Sequence, residues 1–279
     1  MKVLNNRKKR ILSLLLSLAG VIGPYSPYSP YGPYDPYNPY KWTSADDANQ
    51  GAPQWRQTSG PEGAAILTLF SSGPNLFAGT LGGGVFRSTN PGERWMAANT
   101  GLLPFSIVIA FAASGTNIFA GTLAGGVFRS SNNGESWTAV NTGLPPIPFV
   151  NALAVSGTNI FAVTDSGVFR STNQGANWTA ANAGLPPFPP FLPPFPGSNT
   201  LAAVGTSIFV GVTDRVYRST NQGDNWTQVS ADLPGEDVYA LIASGTNLFA
   251  GTQGGGVYRS TNQGDNWTEV NTGLTDPLV

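Results

Sequence analysis

Five arginines, Arg87, Arg129, Arg170, Arg218 and Arg259, recur along the chain at intervals of 42, 41, 48 and 41 residues. Guanidinium groups that converge can clamp a carboxylate or a phosphate through paired hydrogen bonds. Here each arginine opens the same Arg-Ser-[Thr/Ser]-Asn pattern, so each occupies an equivalent place in its own repeat. Equivalent places do not converge, and we read the arginines as structural. The glycine clusters Gly82-Gly83-Gly84, Gly125-Gly126 and Gly254-Gly255-Gly256 invite a phosphate-loop reading. Strand-like runs rather than helices follow them, which makes them hairpin turns. Two carboxylates break the repeat: Asp165 and Asp214 stand in VTDSG and VTDRV, where the other units carry the glycine turn. Paired aspartates can hydrolyse a glycosidic bond when they face each other across ~5–10 Å. The chain has no His and no Cys. That excludes Ser-His-Asp hydrolysis, thiolate nucleophiles, Cys/His zinc sites and disulfides.

The elements that must carry these residues are short. Residues 238–274 read VYALIAS, GTN, LFAGT, QGGG, VYRS, TNQGDN and WTEVN. Runs of β-branched and aromatic residues alternate with Gly and Asn turns, which predicts four antiparallel strands with tight connections. A four-stranded unit cannot bury both faces alone. Repeated at a period of 40–50 residues, such units stack radially as a β-propeller. The expected fold is therefore all-β, with five full repeats. Trp55 to Thr58 resembles a fourth strand without its first three, and Asp276 to Val279 resembles the start of a further unit. Closure of five blades with an extra strand, an open arc and a larger propeller all stay open.

Each unit carries Ser-x-Asn-x-Gly-x-x-Trp. The positions are Ser88, Asn90, Gly92 and Trp95; Ser130, Asn132, Gly134 and Trp137; Ser171, Asn173, Gly175 and Trp178; Ser219, Asn221, Gly223 and Trp226; Ser260, Asn262, Gly264 and Trp267. This resembles the Asp-box, or BNR, repeat of sialidases, sortilin-type receptors, xyloglucanase-like hydrolases and photosystem II assembly propellers. Asn stands in all five copies where that box has Asp. The resemblance implies a propeller over 54–279, with each box a hairpin between the third and fourth strands. It implies little about function. In that hairpin Ser and Asn would bond turn amides, Gly would take positive φ, and Trp would pack over the turn. An amide supplies no carboxylate to a cation, so no metal site is expected at the boxes.

Gly and Pro number 35 and 23, and charged residues make up 10% of the chain, against ~25% in ordinary soluble domains. Lys2, Arg7, Lys8, Lys9 and Arg10 hold five of the 14 basic residues, which leaves nine against 15 acidic ones in the rest. A body this acidic repels phosphate backbones, so nucleic acid is not an expected partner. The basic start runs into 13 largely apolar residues, Ile11 to Gly23. That is a secretory signal pattern, with small residues at Ser17 and Ala19 setting cleavage after Ala19. Thirteen residues rise only ~20 Å as helix, too little for a permanent span. Residues 1–19 are thus read as signal peptide and 20–53 as stalk and linker. In the stalk, Tyr25, Tyr28, Tyr31, Tyr34, Tyr37 and Tyr40 follow prolines with period three. Polyproline II has three residues per turn, so these rings would line one edge of a rod ~50 Å long. The tract is a spacer, or an adhesive edge able to stack on sugars and aromatic partners.

Function is expected where the repeats differ. The loop after the third unit, Leu185-PPFPPFLPPFPG, is seven residues longer than its counterparts and carries Phe188, Phe191 and Phe195. Leu144-PPIPFV is a smaller version one unit earlier. A meander alternates its turns between two rims, which puts these loops on the rim of Asp165 and Asp214. That rim is the candidate binding face, for a protein or a polysaccharide at the cell surface. The loop as a plug and the aspartates as ordinary turn residues is the competing view. The function read from the sequence is an exported, non-catalytic binding module without cofactor, secreted or held at the surface. A surface or filament subunit assembled through strand edges, and a glycosidase-like hydrolase, are the alternatives. Asn177, Asn225 and Asn266 also match the N-glycosylation pattern.

Overall fold

The computed structural model describes residues 60–61, 65–90, 92–188, 199–230, 233 and 237–274. Over them run twenty strands and no helix, in five antiparallel four-stranded sheets whose strand order follows the sequence. Blade 1 comprises β1 (Ile66–Ser72), β2 (Asn75–Thr80), β3 (Val85–Ser88) and β4 (Met96–Ala97). Blades 2 to 5 repeat it over 108–139, 150–180, 199–228 and 238–269. Adjacent blades meet mainly through their first strands, and the outer strand of every blade is two residues long. The chain is a five-bladed β-propeller, as the repeat predicts.

One residue alternation builds every junction. Antiparallel strands send successive side chains to opposite faces, and both faces of a middle blade are covered. Phe77 and Val85 on one face of blade 1 pack against Val108, Phe111, Ile118, Phe128 and Trp137 of blade 2. The equivalent residues form the cores between blades 2 and 3, 3 and 4, and 4 and 5. The first core is aromatic, with Phe70 stacked on Phe111 at 5.8 Å and Trp137 tilted against Phe111 at 6.4 Å.

The boxes have the expected hairpin chemistry. In blade 2, Ser130 Oγ accepts from Gly134 N at 2.8 Å and donates to Asn132 Oδ1 at 2.9 Å. Asn132 Oδ1 in turn accepts from Ser136 N at 3.0 Å. The tryptophan does more than cover its own turn. Trp137 Nε1 donates to Ala98 O of the preceding blade at 2.9 Å, and Trp178, Trp226 and Trp267 do the same one blade further on. The arginines reach the other way: Arg87, Arg129, Arg170 and Arg218 each donate to a box carbonyl of the following blade. Box and arginine are therefore mortar between blades, which accounts for their occurrence in every unit.

The glycine turns are locked by residues that sequence inspection passed over. Asn141 Oδ1 accepts from Val127 N at 2.7 Å while its Nδ2 donates to Gly125 O at 2.8 Å. Asn99 and Asn271 repeat both bonds, and Asn182 the first. A Cβ on Gly126 would run into this amide, and the glycine sits at φ +76°. Blade 4 changes both partners together. Arg215 replaces the glycine and buried Ser230 replaces the asparagine. With no amide facing it, the turn accepts a side chain there.

Candidate functional site

The turns between second and third strands share a rim with the loops that join blades. Leu81 N, Leu123 N and Gln253 N of the turns bond to the carbonyls of Ala65, Ile107 and Asp237, each just ahead of a first strand. The turn of blade 4 instead accepts from the next blade, Val238 N donating to Thr213 O at 2.7 Å. On this rim lie Asp165, Asp214 and the loop that begins at Leu185.

Asp165 and Asp214 are held by their own turns. Asp165 Oδ1 accepts from Ser166 Oγ at 3.4 Å. Asp214 Oδ1 accepts from Thr213 Oγ1 at 3.1 Å and lies 3.5 Å from Arg215 Nε. An acid engaged by its neighbours in sequence fits the turn-residue reading of these positions. Phe188 is partly buried, packed with Leu185 against the core between blades 3 and 4. It seals that junction instead of projecting into water. Phe191 and Phe195 lie outside the described residues, as do the six stalk tyrosines and residues 1–59 as a whole. Among the described residues, no three His, Cys, Asp or Glu side chains cluster as metal ligands.

Among the described residues, the most exposed apolar side chains of this rim lie in the two shorter loops. Phe105 and Ile147 occupy one equivalent place, four residues after Gly101 and Gly143, and Phe188 is third in the series. Phe105 is 87% exposed and Ile147 is 67% exposed. Both stand at positive φ, 58° and 54°. A bulky or β-branched residue in the left-handed region is an outlier that costs ~1–3 kcal/mol, and such strain clusters at binding sites. Between the two loops, over the turn of blade 2, runs an open groove of ≈ 590 Å³. Leu103, Phe128, Leu144, Pro145, Ile147 and Pro148 line it. Its one polar side chain is Asn141, whose amide is already spent on the turn. Such a surface offers shape and apolar area but no free hydrogen-bonding side chain. The sequence signal was present, in the parallel GLLPF and GLPPI segments.

No family model and no curated protein sequence matches the chain. Solved structures do. An ancestral GH74 enzyme superposes with a TM-score of 0.62 at 20% identity, over 81% of this chain and 34% of its own. The likeness is one of fold. This chain spans about a third of the length of that enzyme. YCF48 bound to D1 peptide matches with a TM-score of 0.56 at 16% identity, over 77% of this chain and 69% of its own. The extracellular domain of a putative hybrid two-component system from B. thetaiotaomicron matches with a TM-score of 0.57 at 16% identity, covering 80% and 30%. Propellers of this kind thus include enzymes, a peptide-bound protein and an extracellular domain.

Proposed function

We propose that this protein is an exported, non-catalytic binding module that holds an apolar protein segment in the groove between the loops around Phe105 and Ile147. The groove itself carries the reading. It is open, apolar and flanked by strained, solvent-facing side chains that contribute nothing to the core. A saccharide needs convergent hydrogen-bonding side chains, and a hydrolase needs carboxylates facing the bound bond. Neither kind of group is free along this lining. An extended or proline-rich peptide needs chiefly shape and apolar contact. Export rests on the basic and apolar N-terminal pattern, and the Pro/Tyr tract then serves as a stalk. Protein from a secreting host is expected to begin at Gly20, read by N-terminal sequencing. An intact Met1 would remove the export element.

Peptides selected on the wild-type protein from a displayed random library are expected to lose at least tenfold in affinity for a Leu103→Ser/Ile147→Ser variant. Both residues are exposed, so the melting temperature should stay within the range of surface substitutions, ~0.5 kcal/mol. Selected peptides that bind both proteins equally would sink the groove as the site. Glycan-array binding that needs these same residues would replace the peptide by a saccharide. Ile147→Asn offers a separate check, because Asn tolerates positive φ and relieves strain. It should stabilise by about 1 kcal/mol in urea unfolding while weakening the same peptides. Lower stability would show that Ile147 is held by packing.

A further inference from the structure

The alternation that builds four junctions leaves two blade faces over. At the fourth position of the first strand, Leu153 and Phe111 are each 9% exposed beneath the preceding blade, whereas Leu69 of blade 1 is 66% exposed. At the position paired with the second-strand phenylalanine, Ala112 and Ala202 are each 6% exposed beneath the following blade, whereas Ile242 of blade 5 is 64% exposed. Phe249 and Val257, next to Ile242, are half-buried where their counterparts in the other blades are wholly covered. Among the described residues no apolar core joins blade 5 to blade 1.

The polar mortar stops at the same faces. Trp95 Nε1 is shielded from water without an acceptor, while the other four box indoles reach the blade before them. Arg259 is exposed, while its four counterparts reach the blade after them. The two faces are the halves of one interface that the chain makes four times within itself. A second copy of the chain carries both halves.

We propose that copies of this chain associate head to tail, with the blade 5 face of one molecule packed on the blade 1 face of the next. Leu69 of one copy then takes the place of Leu241, beside the other copy's Ile242 and Phe249. Pro91 sets a limit on the match. It stands where Asn133, Gln174, Gln222 and Gln263 adopt φ of 56–59°, which a proline ring at φ near −65° cannot adopt. The contact rests on its apolar part. Strand-edge pairing is less well served, since each outer strand offers only two residues of ladder. A head-to-tail contact is heterologous: it closes a ring or grows a chain.

Sedimentation velocity on the full chain, over a hundredfold range of concentration, tests this. The wild type is expected to form dimers or longer chains, and Leu69→Glu and Ile242→Glu each to be monomeric with unchanged circular dichroism and melting temperature. An equal mixture of the two variants should recover dimers and go no further, because one intact face remains on each molecule. A wild type that stays monomeric throughout overturns the proposal and assigns the seam to other segments of the same chain. A dimer abolished by one substitution but not by the other overturns it in favour of a two-fold contact.

Discussion

Trp137→Ala is expected to destabilise the protein by about 3–5 kcal/mol, the range for truncating a large buried aromatic. Trp137 is 3% exposed and packs against Phe111 in the core between blades 1 and 2. Its removal opens a cavity in a junction, where neither rigid blade can collapse to fill it. It also strips Ala98 O of its indole donor. Urea unfolding followed by tryptophan fluorescence and circular dichroism measures the loss. Trp95→Ala supplies the control. That tryptophan has the same place in its box, but among the described residues no blade precedes it in the chain, and its indole has no acceptor to lose. A cost below about half that of Trp137→Ala is expected for it. Equal costs would show that the tryptophans stabilise their own hairpins and not the junctions.

Gly126→Ala should cost about 2–4 kcal/mol. At φ +76° an alanine pays roughly 1–2 kcal/mol for the left-handed backbone. Its Cβ also displaces the Asn141 amide, whose two bonds to the turn are worth about 1 kcal/mol each. Asn141→Ser in the same chain reproduces what blade 4 does at Arg215 and Ser230. The double variant is expected to be more stable than the sum of its single effects predicts, by about 1 kcal/mol or more. Simple additivity would mean that backbone strain alone demands the glycine, and that the paired change in blade 4 has another origin.

The strands, their order within a blade, the five repeats and the box hairpins were legible in the sequence. The signals are local: period-two alternation, Gly and Asn at turns, and a Ser/Asn/Gly/Trp spacing whose bonds span at most four residues. The arginines could be set aside for a similar reason, because equivalence under repetition is itself a sequence property. The partners of Trp and Arg were not legible. Their bonds cross 38 to 52 residues into neighbouring blades, as in Trp178 to Val140 and Arg170 to Gln222. The Asn clamp shows an intermediate case. Asn99, Asn141, Asn182 and Asn271 recur visibly, but 14 residues separate each from the amide it holds.

Tertiary structure alone decided which apolar residues face water. Leu69 and Leu153 are the same residue in the same strand position, as are Phe105 and Phe188 in their loops. One of each pair is exposed and the other is covered, at least in part. A repeat specifies what a blade presents, because each face follows from local alternation. Whether anything covers that face depends on which blade comes next, and on the backbone angles of the loop that leads there. For that reason the sequence by itself determined a β-propeller of repeated four-stranded blades, with its mortar residues in place. The groove beside Ile147 and the uncovered faces at Leu69 and Ile242 came only with the three-dimensional arrangement.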